Sequence, residues 1–476
     1  MDAKSDAKKT YVAQRYLTLP EQVRNEVKNN VMTNLGNPLQ QARSTSALVL
    51  GKIAAIELPR DMWPNLMEMV LTSLTTNQQN TFLRQSTFES LGYICEECPE
   101  KLAPHSVAIL NAISTGLAAE ETDNGIKLAA IRALTNSLEC IKTNFTNPEH
   151  RDIIMQMVFS AAGGNDLGVR LHSYYCLVAI AQKYYTYLNS YMAFIFQMTS
   201  HAIQQTDSEE IAMQGVEFWT TISEKESDIK QLAYEAQQRN QQPPEPLHNF
   251  MATALKDIMP LLLLSLTKQS EELDDETFNL AKAAAICIGN AAEATADACI
   301  DHVLPFVKEN IRHPNWRFRE AATLAFGYIL DGPDRAKMTE TVQEAFQLLL
   351  SHMSDENDIV KDTTAWTLGR ICNLFAEEVV NAHTLPILIQ VFHAGLKTEP
   401  CIARNICWAI HNLAAAVTLT EESQTSPLSQ YFQDLVSALL GLSEQVDEPK
   451  LVDSAFVAIT QLILNSAPDC APLLGT

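Results

Sequence analysis

Apolar residues along this chain recur on two scales at once. Within a segment they fall at offsets 0, 4, 8, 11 and 15, one stripe on a helix of 3.6 residues per turn. Between segments the same stripe returns after about 42 residues. Val360, Thr364, Leu368, Ile371 and Phe375 form one copy; Ile402, Ile406, Ile410, Leu413 and Val417 form the next, with Trp366 matched by Trp408. One step back, Phe318, Ala322, Phe326 and Ile329 fill the first four slots, and Leu324 stands at the position of Trp366. Val169, Leu177 and Ile180 keep offsets 0, 8 and 11 further back, and Ile126 and Leu134 precede them. A basic residue follows the first apolar slot in four units: Lys127, Arg170, Arg319 and Lys361.

The segments between these stripes carry a second one, as in Leu255, Ile258, Met259, Leu262 and Leu266, set off by short polar breaks such as Ser354–Asp358. Each unit therefore reads as two antiparallel helices. A lone pair cannot bury both stripes, so neighbouring pairs must stack. The pattern predicts an all-α fold, an α-solenoid (superhelix) of about ten HEAT-type repeats. First helices are expected to start near Pro20, Asp61, Leu102, Asn147, Leu188, His248, Ala296, Lys337, Asn381 and Ser426. One continuous solenoid is expected over 1–476, with a remnant of a preceding repeat over about 1–19. An acidic loop between paired helices is expected over 270–277, and a long loop over about 230–247, around the Pro-rich stretch Gln237–Pro246. Both ends read as cut from a longer array, because terminal repeats normally carry a polar outer face.

Composition sharpens this. Glycine numbers 16 in 476 residues, about half the usual ~7%, which disfavours turn-rich β folds. The net charge of −23 argues against nucleic acid or an anionic membrane as the main partner. The longest apolar run, near Ile258–Leu266, is too short to span a bilayer, and the charged N-terminus carries no apolar signal region. Ten cysteines without framework spacing suit a reducing compartment. Cys95-Glu96-Glu97-Cys98 lacks the second ligand pair that zinc needs and the βαβ setting of a redox motif, so it reads as two unrelated cysteines. There is no phosphate loop, nucleophile elbow or histidine pair at metal spacing. Neither an enzyme nor a cofactor or metal is expected.

Two features stand out. Trp366 and Trp408 sit at offset 6, about 200° around the helix from the mean of the apolar stripe, so they should point away from their own pair's core. Asp362 and Asn373 share that face, and Arg404 is the counterpart of Asp362 in the next unit. Exposed Trp beside polar groups is hot-spot chemistry; packing against a neighbouring repeat is the alternative. The second feature is the run Glu271, Glu272, Leu273, Asp274, Asp275, Glu276, followed by Phe278. Its carboxylates repel one another, and a cationic partner would relieve that; a solvated loop is the ordinary alternative.

The stretches Asp362–Cys372, Asn405–Ala409, Asn315-Trp316-Arg317 with Ala325-Phe326-Gly327, Val216–Trp219, Leu91–Cys95 and Ile154–Val158 resemble importin beta, in one register essentially end to end. The resemblance implies roughly the N-terminal half of such a receptor, lacking the first repeat and most of the second. It implies a nuclear transport receptor with three binding surfaces. The acidic loop (Glu271, Glu272, Asp274, Asp275, Glu276) would meet the GTPase Ran in its GTP state. Phe278 stands where the family usually has Trp, and Leu273 interrupts the acids. Phe278, Asp362, Trp366, Asn373 and Trp408 would form a concave face for basic cargo segments or the importin alpha adaptor. Leu110, Asn111 and Ser114 with His150, Ile153 and Ile154 would form a pocket for Phe-Gly nucleoporin repeats, although Ser114 and His150 depart from the family's apolar and acidic residues there. A monomer moving between cytoplasm and nucleus through the nuclear pore is implied. The competing class is a HEAT scaffold that organises an enzyme such as a phosphatase.

Overall fold

The computed structural model describes residues 3–76, 79–205, 207–271, 277–417, 423–445 and 448–475. Its long elements are all α-helices, and no strand occurs among the described residues. They group into two compact units, divided between Ser190 and Tyr191.

The first unit holds α1 (Ala3–Leu17), α2 (Glu21–Asn34), α3 (Gln40–Glu57), α4 (Leu66–Thr76), α5 (Thr81–Glu97), α6 (Ser106–Gly116), α7 (Asn124–Ser137), α8 (Pro148–Ala162) and α9 (Leu167–Tyr184). The second holds α10 (Met192–Gln204), α11 (Glu209–Gln238), α12 (Phe250–Leu266), α13 (Leu280–Thr295), α14 (Ile300–Asn310), α15 (Trp316–Tyr328), α16 (Arg335–His352) and α17 (Asp358–Leu374). It continues through α18 (Thr384–Gly395), α19 (Pro400–Ala416), α20 (Phe432–Gln445) and α21 (Pro449–Leu464). From α2 onward, even-numbered helices are the first members of pairs and odd-numbered ones the second. The ten first helices begin within six residues of the starts read from the pattern. Several of the larger offsets coincide with one-turn 3₁₀ segments, such as Ala103–His105 and Ala296–Cys299, that lead into the helix proper.

Helix starts are written into the sequence. Asn80, Asp123, Asp166, Ser208, Asn279, Asn315 and Asn357 each accept a hydrogen bond from a backbone N–H of the first turn, capping α5, α7, α9, α11, α13, α15 and α17. At α12 the residue before the helix, Asn249, is left-handed and offers no side-chain cap. Glu226 of α11, fully buried, replaces it by accepting from Phe250 N (2.5 Å) and Met251 N (3.3 Å).

The stripes bury as the period requires: Val360, Thr364, Leu368, Ile371, Ile402, Ile406, Ile410 and Leu413 are all within the core. Phe318 is the exception among first slots; it is half-buried, its ring 4.6 Å from that of His313. The basic residue after that slot ties repeats together. Arg319 donates to both carboxylate oxygens of Asp355 (2.8 Å each) in the next pair's loop and to the carbonyls of His313 and Pro314. Arg84 pairs likewise with Glu121 at 2.7 Å.

The loop expected over about 230–247 begins later. α11 continues to Gln238, because Ile229 and Ala236 still find cover in an otherwise polar segment. The Pro-rich stretch then returns along the helix, with Lys225 paired to Glu245 at 3.0 Å.

Candidate functional site

Side by side, α13, α15 and α17 form the wall of a groove of about 360 Å³. The polar breaks set its position: Asn279, Asn315 and Asn357 start the three helices, so their first turns lie alongside one another. Phe278, Asp362 and Trp366 all line it, together with Gln269 and Ser270 from the far side of the acidic segment. Three of the five residues expected on the cargo face thus meet in one place. Phe278 is 55% exposed, and Asp362 and Trp366 are half-buried. Asn373 is exposed two turns further along α17, and Trp408 lies on α19; neither lines this groove.

The charges in the groove are unbalanced toward acid. Asp362 accepts from Asn405 Nδ2 at 2.9 Å. Burial pushes its pKa up to about 6, against the pull of Asn405, Cys401 and Lys282. Glu320 lies deeper, 4% exposed, accepting from Thr363 Oγ1 at 2.8 Å and Gln269 Nε2 at 2.5 Å. Burial outweighs those hydrogen bonds and lifts it to about 7. Lys282, which donates to the carbonyl of Thr277 at 2.8 Å, is the one cationic lining residue among the described residues. Elsewhere on the odd helices of this unit, burial and neighbouring acids also raise Glu217 and Glu293. Carboxylates held in this way gain from an arriving cation.

The tryptophans reach this face by resting on glycines. A Cβ placed on Gly327 would lie 2.5 Å from Trp366 Cζ3, and one on Gly369 would lie 2.6 Å from Trp408 Cζ3. Gly289 makes the same room for Tyr328, whose ring centroid is 4.9 Å from that of Trp366. Each ring is seated against the preceding repeat and keeps an edge outward, so outward pointing and inter-repeat packing are both realised. Arg370 lies over Trp366, 5.6 Å from the ring centroid.

Of the acidic segment, Glu272, Asp274, Asp275 and Glu276 lie outside the described residues, as does Leu273. Glu271 is exposed and paired with Arg317 Nη2 at 3.1 Å.

The residues expected to form a nucleoporin pocket between α6 and α8 differ in exposure. Leu110 and Ile154 face the core, at 7% and 0% exposure, so neither is an open wall for a ligand. Periodicity explains this, since Ile153 and Ile154 point about 100° apart on one helix. Ile153 is 52% exposed and Asn111 is exposed, while Ser114 and His150 are half-buried. Ser114 Oγ donates to its own helix at Asn111 O (2.8 Å), and His150 Nδ1 pairs with Asn144 Nδ2 (3.0 Å).

Cys95 and Cys98 are buried free thiols. Burial lifts Cys98 to about 11, unlike a reactive thiolate. No group of three potential metal ligands occurs among the described residues. Glu320, Gln269, Asn405 and Tyr328 were not singled out from sequence. The signal for Glu320 was present: it occupies offset 2, the position of Asp362 and Arg404, one repeat earlier.

The family described as importin subunit beta-1-like, TPR repeats, matches residues 387–476, and a HEAT-like repeat matches 316–371. Importin subunit beta-1 of Schizosaccharomyces pombe is 34% identical across 99% of the chain, covering 55% of that protein. Importin subunit beta-1 of Saccharomyces cerevisiae is 35% identical across 97% of the chain, covering 53%. Among solved structures, yeast importin-beta (Kap95p) superposes with a TM-score of 0.90 at 34% identity, over 97% of this chain and 53% of that one. A Kap95:Nup1 complex gives 0.87 at 34%, over 97% and 53%. Kap95p in a structure concerning the switch loops of RanGDP gives 0.85 at 33%, over 99% and 54%. The chain spans about half the length of the relatives it matches. Over that length it is homologous to importin beta-1 in sequence and matches it in fold.

Proposed function

We propose that this chain is a non-enzymatic nuclear transport receptor that exchanges ligands along its row of second helices. The observation that carries this is the groove where Phe278, Asp362 and Trp366 meet both ends of the acidic segment. Aromatic edges suit the aliphatic stems of Lys and Arg, and recessed carboxylates suit their charged ends. A basic cargo segment, or the arm of an importin alpha-type adaptor, is the matching ligand. Ran-GTP would meet the acidic residues Glu271, Glu272, Asp274, Asp275 and Glu276. Because that segment is rooted in the same groove, Ran and cargo affinities would be linked. Phe-Gly nucleoporins would bind weakly on first helices, at a site centred on the exposed Ile153. Solved relatives with RanGDP and with Nup1 support both partners, and shuttling between cytoplasm and nucleus by way of the nuclear pore follows.

The test is capture on the immobilised chain of Ran loaded with GTP or GDP, and of partners from nuclear extract. Ran retained only with GTP, together with adaptor or nucleoporins, is expected. Recovery of phosphatase subunits without any of these would instead favour the scaffold reading. Replacing Trp366 and Trp408 together by Ala is expected to weaken a basic peptide while the helical signal stays intact.

A further inference from the structure

Gln269 lies three residues beyond α12 and two before Glu271, so it is the root of the acidic segment. Its Nε2 donates to Arg317 O (2.7 Å) and to Glu320 Oε2 (2.5 Å), while its backbone carbonyl accepts from the Arg317 guanidinium. Arg317 in turn holds Glu271. On its other side Glu320 Oε1 accepts from Thr363 Oγ1 (2.8 Å), next to Asp362 and three residues before Trp366. One buried carboxylate thus spans the root of the acidic segment and the wall of the groove.

We propose that Glu320 is a positioning residue that couples occupancy of the Trp366 groove by a cationic side chain to the placement of the acidic segment's root at Gln269. This rests on the reading of the groove as a cation-binding face.

Glu320 receives hydrogen bonds from neutral donors only among the described residues, in a site where burial disfavours its charge. Among the described residues the charged groups facing it are Lys282 from α13 and Asp362 from α17, with Arg317 and Glu271 at the root, and α12 and α14 supply no lining residue. Gln269 Oε1 is buried and finds no hydrogen-bond partner among the described residues. The amide therefore has two useful poses. With Glu320 ionised, Nε2 serves both the carboxylate and Arg317 O. With Glu320 protonated, the amide turns, its Oε1 accepts from the carboxyl, and Arg317 O loses its donor. A guanidinium or ammonium entering the groove favours the ionised form, the proton leaving to solvent, and so selects the first pose.

The experiment measures binding of a fluorescein-labelled oligo-arginine peptide against pH, with amide exchange of residues 267–271 corrected for intrinsic rate, in the parent and in Glu320→Gln. In the parent, affinity rises by up to about tenfold per pH unit through the neutral range. The peptide also protects 267–271. Glu320→Gln loses the neutral part of the pH dependence and the added protection, while the step at lower pH from Asp362 persists. Parent-like behaviour of Glu320→Gln in both readouts overturns the proposal. The ligand-free chain separates the two ideas. A pH step in exchange of 267–271, present in the parent and absent in Glu320→Gln, supports the Glu320–Gln269 link even where oligo-arginine fails to bind, a result that removes only the cation-binding reading. Absence of that step in the parent overturns the link. Should Glu320→Gln not fold, Thr363→Val cuts the groove side alone. It is expected to keep the ligand-free step and lose the peptide's effect on it, and a retained effect overturns the coupling.

Discussion

Adding a methyl group at Gly369 tests whether the tryptophans are seated between repeats. The new Cβ would lie 2.6 Å from Trp408 Cζ3, with Ala409 Cα at 3.5 Å behind it. Carbon atoms settle about 3.5–4.0 Å apart, so the indole must retreat by roughly 1 Å or the helices must part. Overpacking of this kind costs about 1–3 kcal/mol. It is opposed by the intrinsic gain of Ala over Gly within a helix, about 1 kcal/mol. Gly441, in α20, isolates that gain because a Cβ there meets nothing within 4 Å among the described residues. Thermal unfolding followed by far-ultraviolet circular dichroism should therefore place Gly441→Ala at or above the parent. Gly369→Ala should fall below Gly441→Ala by the packing cost, about 1–3 kcal/mol. In a Trp408→Ala background the ring is gone and Gly369→Ala should behave like Gly441→Ala. Equal effects at the two glycines, or a cost that survives removal of Trp408, would refute the seating.

Replacing Asp274, Asp275 and Glu276 by Ser is expected to weaken Ran-GTP at low ionic strength and to flatten the salt dependence; unchanged calorimetric affinity there removes the segment from the mechanism. Ile153→Asp is expected to abolish binding of a single Phe-Gly peptide on α8 and Ser114→Ile to strengthen it, read by chemical-shift perturbation; parent-like behaviour of both moves the site elsewhere. Arg319→Gln strands the half-buried Asp355 carboxylate and is expected to destabilise by about 3–5 kcal/mol, measured by urea unfolding. The sign with pH is also fixed. Burial raises Asp355, but hydrogen bonds from Arg319 and Asn357 N prevail and hold its pKa below the ordinary value. Its stabilising effect is thus present above the unfolded carboxyl range and lost as pH falls through the folded value, and Arg319→Gln should be less sensitive to acid.

The repeat was legible because its evidence is local. Apolar spacing, polar breaks and a capping Asn, Asp or Ser lie within a few residues of one another, so Val360 or Ile406 declares its burial without knowledge of any neighbour. The groove was legible only in part. Offset 2 singled out Asp362, and the same offset one repeat earlier leads to Glu320, but its contact with Gln269 joins residues 51 apart and no periodicity reports it. Gly327 and Gly369 are visible in the sequence, whereas the rings they accommodate depend on how closely α15, α17 and α19 approach. Ile154 enters the pocket only through the resemblance, and its place on the α8 stripe accounts for its burial.

The seating of Trp366 on Gly327 and of Trp408 on Gly369 bears on how such arrays can be edited. A ring and its socket come from different repeats, so a cut between pairs severs each from its complement. A transplanted pair brings its own indole and must find a glycine at the matching height on its new neighbour. It also leaves its own glycine facing whatever follows. The exchangeable piece is therefore not the pair that the sequence period suggests. It is a cassette running from the middle of one second helix to the middle of the next, with the glycine and its ring kept on the same side of each junction. Deletions or insertions joined at those mid-helix points should be tolerated where joins in the connecting loops are not.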